Sequence, residues 1–195
     1  MSRIIAGSAG GRRLTMPPHS LTRPTSDRVR EAAFSLLADW AGSSGSAGEE
    51  QLAGLSFLDL YAGSAAVALE AASRGAAPTS AVERGPAPPA VARRNVRNTG
   101  LSVTVVTRAV SSFLAAPPVT RFDVVWADPP YDLPAEELDQ VLTTVVTGGW
   151  LAARGLVVVE RSGRGTPPEW PAAMEDSWHR DYGETTLHFA MKGDV

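Results

Sequence analysis

Asp128-Pro129-Pro130-Tyr131 ends the apolar run Phe122-Asp123-Val124-Val125-Trp126-Ala127 and puts a carboxylate, backbone carbonyls and an aromatic ring in fixed relation. Neither proline can extend a sheet ladder, because neither has an N–H, and Pro130 biases Pro129 toward an extended backbone, so the chain must leave the sheet here in a stiff loop. A second candidate is Phe57-Leu58-Asp59-Leu60-Tyr61-Ala62-Gly63-Ser64-Ala65-Ala66, an apolar strand running through a small-residue turn into a helix. Small residues let a bulky ligand approach the backbone, and the free amides of a helix start favour electron-rich groups. A third is Glu83, which closes Ser80-Ala81-Val82 about twenty residues after the turn, where an acid commonly accepts hydrogen bonds from both hydroxyls of a ribose. Taken singly, the turn could be an ordinary helix opening and Glu83 a solvated partner of Arg84. Together with Asp128 they form an ordered set on successive strand ends, where open α/β sheets bind ligands.

These residues need a sheet to present them. From residue 52 onward the pattern alternates, with strands expected at 55–60, 79–83, 103–107, 122–127 and 155–160 and helices at about 65–74, 89–99, 110–115 and 135–147. Alternation of this kind predicts an α/β fold, a mostly parallel sheet with right-handed crossovers and helices on both faces. The segments 178–182 and 185–191, joined by Gly183-Glu184, read as an antiparallel hairpin at one sheet edge. Near the N-terminus, Arg3-Ile4-Ile5 and Arg12-Arg13-Leu14-Thr15 flank a glycine-rich turn and predict a small hairpin extension. Ser26 is a fair N-cap for a helix from Asp27 to Trp40, and the Gly/Ser-rich run 42–48 reads as a flexible linker. The expected division is an N-terminal hairpin extension over 1–25 and one α/β domain over 26–195.

Composition narrows the class. A 195-residue chain removes roughly 70% of its unfolded surface from water, enough for one real core. No run of ~18 apolar residues and no leader pattern is present, so the default expectation is a cytoplasmic protein without membrane attachment. The absence of cysteine and the wide spacing of His19, His179 and His188 argue against a metal site. A net charge of −3 argues against a protein coated in positive charge, yet residues 1–30 hold six arginines against Asp27 alone. Arginine's planar fork suits phosphate.

The motifs together resemble the Rossmann-like S-adenosylmethionine-dependent methyltransferases, specifically the bacterial RsmD type that methylates the exocyclic N2 of a guanine in small-subunit (16S) ribosomal RNA. The resemblance covers nearly the whole chain. It rests on Arg3-Ile4-Ile5-Ala6-Gly7 with Gly11-Arg12-Arg13-Leu14, on Arg23-Pro24-Thr25-Ser26-Asp27-Arg28-Val29-Arg30-Glu31 and on Leu58-Asp59-Leu60-Tyr61-Ala62-Gly63-Ser64. It continues through Leu69-Glu70-Ala71, Ser73-Arg74-Gly75-Ala76, Val82-Glu83, Asp128-Pro129-Pro130-Tyr131 and Tyr182-Gly183-Glu184-Thr185. It implies a seven-stranded sheet, S-adenosylmethionine as cofactor with S-adenosylhomocysteine as product, no metal, and a monomer acting on 16S rRNA or a small-subunit assembly intermediate. By the same resemblance Asp59, Ala62, Gly63 and Ser64 surround the methionine part of the cofactor, Glu83 binds its ribose and Ala109-Val110 lies by the adenine. Asp128, Pro129, Pro130 and Tyr131 receive the base, and Arg3, Arg12, Arg13, Arg23 and Arg28 grip RNA. Where the family usually has Gly-Ser-Gly-Ala-Leu-Gly, this chain has Gly63-Ser64-Ala65-Ala66-Val67-Ala68. An alanine where the backbone needs positive φ is strained by roughly 1 kcal/mol or more. Pro86, Pro88 and Pro89 crowd the start of the helix after Glu83, which is expected to shorten it.

The chemistry supplies its own reason for these residue types. The lone pair of a guanine amine is delocalised into the ring, so the amine is a poor nucleophile. Hydrogen bonds to the Asp128 carboxylate and a prolyl-loop carbonyl favour a pyramidal nitrogen, and Tyr131 can stack on the extruded base, worth roughly 1–3 kcal/mol. Two rival readings share these residues. One is amino-methylation of another base, such as adenine N6; the other is an RNA-binding ribosome-assembly module with weakened catalysis, for which Ala65 and Ala68 speak.

Overall fold

The computed structural model describes residues 2–17, 26–85 and 87–194. Arg23 and the Pro17-to-Ser26 connector apart from its ends lie outside the described residues, as does Pro86. The N-terminal hairpin pairs β1 (Ser2–Arg3) with β2 (Arg13–Leu14), and α1 spans Asp27–Trp40. The main sheet is built from β3 (Phe57–Leu60), β4 (Thr79–Glu83), β5 (Thr104–Thr107), β6 (Phe122–Ala127), β7 (Leu151–Ser162), β8 (Met174–Tyr182) and β9 (Thr185–Lys192). Between them run α2 (Ala66–Ser73), α3 (Ala87–Thr99), α4 (Val110–Leu114) and α5 (Ala135–Thr147). The sheet order is β5-β4-β3-β6-β7-β9-β8, parallel from β5 to β7 and antiparallel through β9 and β8. This is the mostly parallel seven-stranded sheet with a C-terminal edge hairpin that the sequence predicts.

The burial pattern explains the order. Phe57–Leu60 is buried at all four positions and β6 at all but Asp123, as strands covered on both faces must be. On one face Leu58, Val125 and Val157 meet α4 and α5; on the other Phe57, Trp126 and Val158 meet α1. Ser26 caps α1 as expected, its hydroxyl accepting from Val29 N–H at 3.2 Å.

Three expectations need correction. The 42–48 run is fastened rather than a flexible linker: the Ser43 hydroxyl donates to the carbonyls of Ala38 and Gln51, and a Cβ on Gly48 would stand 3.1 Å from Gly7 N. The seventh strand of the chain is far longer than 155–160, because Phe122 pairs with Leu151 but Val124 with Leu156; a bulge that includes Arg154 at φ +59° takes up the extra residues. The prolines do not shorten α3. Pro88 and Pro89 lie in its first turn, where no intrahelical N–H is lost, and the helix runs 13 residues to Thr99, with Gly100 at φ +69° ending it.

Candidate active site

The turn after β3 is a chain of left-handed residues. Tyr61, Gly63 and Ala65 have φ of +61°, +52° and +61°. Gly63 meets nothing within 4 Å at its missing Cβ, so the space beside it is open. Ala65 is fully buried and stands at the N-cap of α2 in the left-handed region, at a cost of about 1–2 kcal/mol relative to glycine. Ala68 carries no such strain, since it lies within α2 and packs in the core. Its N–H donates to the Asp59 carboxyl group at 3.0 Å, so Asp59 serves as the acceptor for one of the amides of the helix start.

Glu83 closes the same turn from the next strand. One carboxylate oxygen accepts from Gly63 N–H at 2.8 Å and the other from Arg84 N–H at 2.7 Å. Each oxygen keeps a second lone pair for a ligand hydroxyl. Glu83 also lines a cleft of about 240 Å³ with Tyr61, Ala109, Val110, Pro130 and Glu137. The structure thus brings together the residues expected at ribose and adenine. Asp59 is 2% exposed, behind the turn, and neither it nor Ala62, Gly63 or Ser64 lines this cleft.

Asp128 follows β6, whose Ala127 pairs with Leu60 of β3, and its N–H reaches the Leu60 carbonyl at 3.4 Å. The carboxylate loop and the small-residue turn therefore leave adjacent strands at the same end of the sheet. Asp128 is half-buried, and its carboxyl is held well above the usual carboxylate range by desolvation first and then by the charges of Glu160 and Asp59, with Arg161 opposing. Burial likewise pushes Asp59 up to about 8. Pro130 lines the cleft, and its carbonyl accepts from Leu133 N–H at 3.0 Å; Tyr131 is 57% exposed.

Two residues escaped the sequence reading. Glu160, 7% exposed, is the residue after Val159, which pairs with Ala127, so within β7 it lies level with Asp128, the first residue past β6. Its signal was available: like Glu83 and Asp128 it closes an apolar run. Asn95 is 1% exposed in α3; its amide donates to the carbonyls of Ser64 and Thr15 and accepts from Thr15 N–H. It joins the small-residue turn to the exit of the hairpin, where the Ser64 hydroxyl also meets the Met16 sulfur at 3.5 Å. No local pattern marks such a residue.

The expected RNA-gripping residues divide. Arg3, Arg13 and Arg28 are exposed. Arg12 is committed to structure, its guanidinium donating to the carbonyls of Thr99 at 2.7 Å and Asn98 at 3.3 Å and so capping the end of α3.

A family model described as "Conserved hypothetical protein 95" matches residues 2–191. Among curated proteins the chain is 33% identical over 183 residues to the ribosomal RNA small subunit methyltransferase D of Escherichia coli strain K12, covering 92% of this chain and 83% of the relative. Among solved structures it is similar to an Escherichia coli protein at 30% identity, with TM-score 0.83 and coverage of 100% and 99%. A Salinibacter ruber RNA methyltransferase in complex with S-adenosyl-L-homocysteine shares the fold at 19% identity and TM-score 0.60, covering 89% of this chain and 95% of that one. Sheet order, strand-end acids and these matches agree: the fold is the Rossmann-like methyltransferase fold, and the chain belongs to the conserved hypothetical protein 95 family, the RsmD family of methyltransferases that its motifs resemble.

Proposed function

We propose that this protein is an S-adenosylmethionine-dependent methyltransferase that acts on the exocyclic N2 of a guanine in small-subunit ribosomal RNA. The observation that carries this reading is the exit of the small-residue turn and the Asp128 loop from the paired strands β3 and β6 at the same end of the sheet. The residues present fit the cofactor: open space at Gly63, spare lone pairs on Glu83, and a cleft that includes Ala109 and Val110. When bound, S-adenosylmethionine supplies an electrophilic methyl group on a sulfonium. Glu83 would hold the ribose hydroxyls, and Gly63 and Ser64 would face the methionine portion. Asp59 acts from behind the turn by fixing the start of α2 through Ala68 N–H.

Asp128 accepts one N–H of the target amine. A prolyl-loop carbonyl accepts the other: Pro130, which lines the cleft, accepts from Leu133 N–H and keeps a second lone pair. Two acceptors draw both hydrogens to one side and free the nitrogen lone pair, so alignment supplies most of the acceleration. The raised affinity of Asp128 for a proton suits it to take the one released as the N–C bond forms. Tyr131, exposed at the loop's end, stacks on the base. Residues 1–25 act as an RNA-gripping extension and 26–195 as the catalytic unit, working as a monomer in the cytoplasm on 16S rRNA or a small-subunit assembly intermediate. No described helix is long and apolar enough to cross a membrane.

The test is Asp128→Ala. Methyl transfer from labelled cofactor to small-subunit rRNA should fall by about 10²–10⁴-fold, the range of a lost proton-transfer group, with S-adenosylhomocysteine affinity by calorimetry within a few-fold of wild type. Near-wild-type turnover would remove Asp128 from the reaction. Undetectable cofactor binding by the wild-type protein at millimolar ligand would favour the non-catalytic assembly module.

A further inference from the structure

Charge in this chain is divided along the sheet. Residues 1–108 contain twelve arginines and eight acids, whereas residues 109–195 contain six basic residues and thirteen acids. The sheet order turns that division into geometry: β5, covered by α3, is one edge, and β8 is the other. On the β8 side Glu175, Asp176, Asp181 and Glu184 are exposed. On the β5 side α3 carries Arg93, Arg94 and Arg97 and no acid. All three are exposed. Arg94 and Arg97 make no hydrogen bond or ion pair with described residues, and Arg93 donates to the Thr107 hydroxyl at 2.6 Å.

This helix and the hairpin are one surface. Arg12 holds the hairpin to the α3 C-terminus through Asn98 and Thr99, and Asn95 holds Thr15 to α3 and to Ser64 of the turn. From the α3 C-terminus toward the turn, the surface therefore leads to the proposed active site. We infer that the exposed face of α3 and the hairpin beside it form a track for the RNA backbone, with Arg93, Arg94 and Arg97 as phosphate-binding residues alongside Arg13. This rests on the rRNA reading above and changes its details: the arginines at the RNA are those of α3, while Arg12 positions the hairpin. Guanidinium groups free of carboxylate partners suit phosphate oxygens, and the acidic β8 edge is turned away from RNA by repulsion.

The test is the salt dependence of binding to a small-subunit rRNA fragment, measured by fluorescence anisotropy on the full chain. Losing three phosphate contacts in Arg93→Ala/Arg94→Ala/Arg97→Ala should weaken binding by about tenfold or more at low salt and reduce the slope of log K against log salt by about 2–3. A matched triple, Arg164→Ala/Arg180→Ala/Lys192→Ala, removes equal charge near the other edge and should leave the slope unchanged. S-adenosylhomocysteine affinity should stay at wild type in both, showing that the fold is intact. An unchanged slope in the α3 variant, or equal losses in both triples, would overturn the track. If the wild-type protein neither binds nor methylates this RNA, the rRNA reading itself fails, whatever the variants do.

Discussion

Asp128 shares its end of the sheet with Glu160 and Asp59, and that company sets its proton affinity. An acid whose folded-state pKa is raised stays protonated to higher pH, and a protonated Asp128 accepts an amine hydrogen poorly. The rate should therefore fall as pH drops through a value above the ordinary carboxylate range. Removing the neighbouring charge in Glu160→Gln lowers the Asp128 pKa, so the acidic limb of kcat/KM should move to lower pH; a limb that stays in place or rises would contradict the coupling. Part of this was legible in the sequence, because Asp128 and Glu83 end apolar runs beside informative neighbours. Glu160 ends a run too, but nothing after it names a chemistry, and its relation to Asp128 arises only from the pairing of β6 with β7. Ala65 was legible as a strained position from its departure from a glycine pattern, and its φ of +61° bears this out. Ala68 was not separable from it by sequence, since only the helix start at Ala66 shows that strain stops before it.

The N-terminal hairpin, with strands of two residues each, cannot hold itself together. Its stability comes from a buried ionic clip. The Glu70 carboxylate, fully buried on α2, accepts from Ile5 N–H at 2.7 Å, Ala6 N–H at 3.1 Å and Arg74 Nε at 2.8 Å, and lies 3.8 Å from Arg30 Nε. Arg30 in turn donates to the Arg3 carbonyl, to Ser2 Oγ and to Asp27. Gly7 completes the docking, since a Cβ there would collide with the Ser73 carbonyl. Glu70→Ala should destabilise the protein by about 3–5 kcal/mol in denaturant titration, because it removes the buried carboxylate that faces Arg74 and Arg30 and leaves two amides without their acceptor. A loss below 1 kcal/mol would mean that the clip is water-accessible. The hairpin itself was readable from its glycine-rich turn and α1 from its cap and apolar spacing. The clip was not, since its partners lie some 65 residues apart and a glutamate within a helix reads as an ordinary surface residue.

At the scale of the molecule, alternation of apolar strands with amphipathic helices made the α/β class, the parallel core and the antiparallel last hairpin readable before any coordinates. Burial on both faces leaves few other arrangements for strands such as Phe57–Leu60 and Phe122–Ala127. What composition hid was polarity: a net charge of −3 conceals a basic β5 edge and an acidic β8 edge, and only the strand order separates them. On the track inferred above, that separation gives RNA one side from which to approach, with Asp128 and the small-residue turn at the end of its path. The central claim, that the amine held at Asp128 is a guanine N2 of small-subunit rRNA, has one direct measurement. Ribosomal RNA from a strain lacking this protein should be incubated with purified protein and S-adenosylmethionine, digested to nucleosides and analysed by mass spectrometry. The account predicts N2-methylguanosine, at a single small-subunit position when fragments are mapped. Methyl groups on adenine N6, or none in small-subunit RNA, would contradict it.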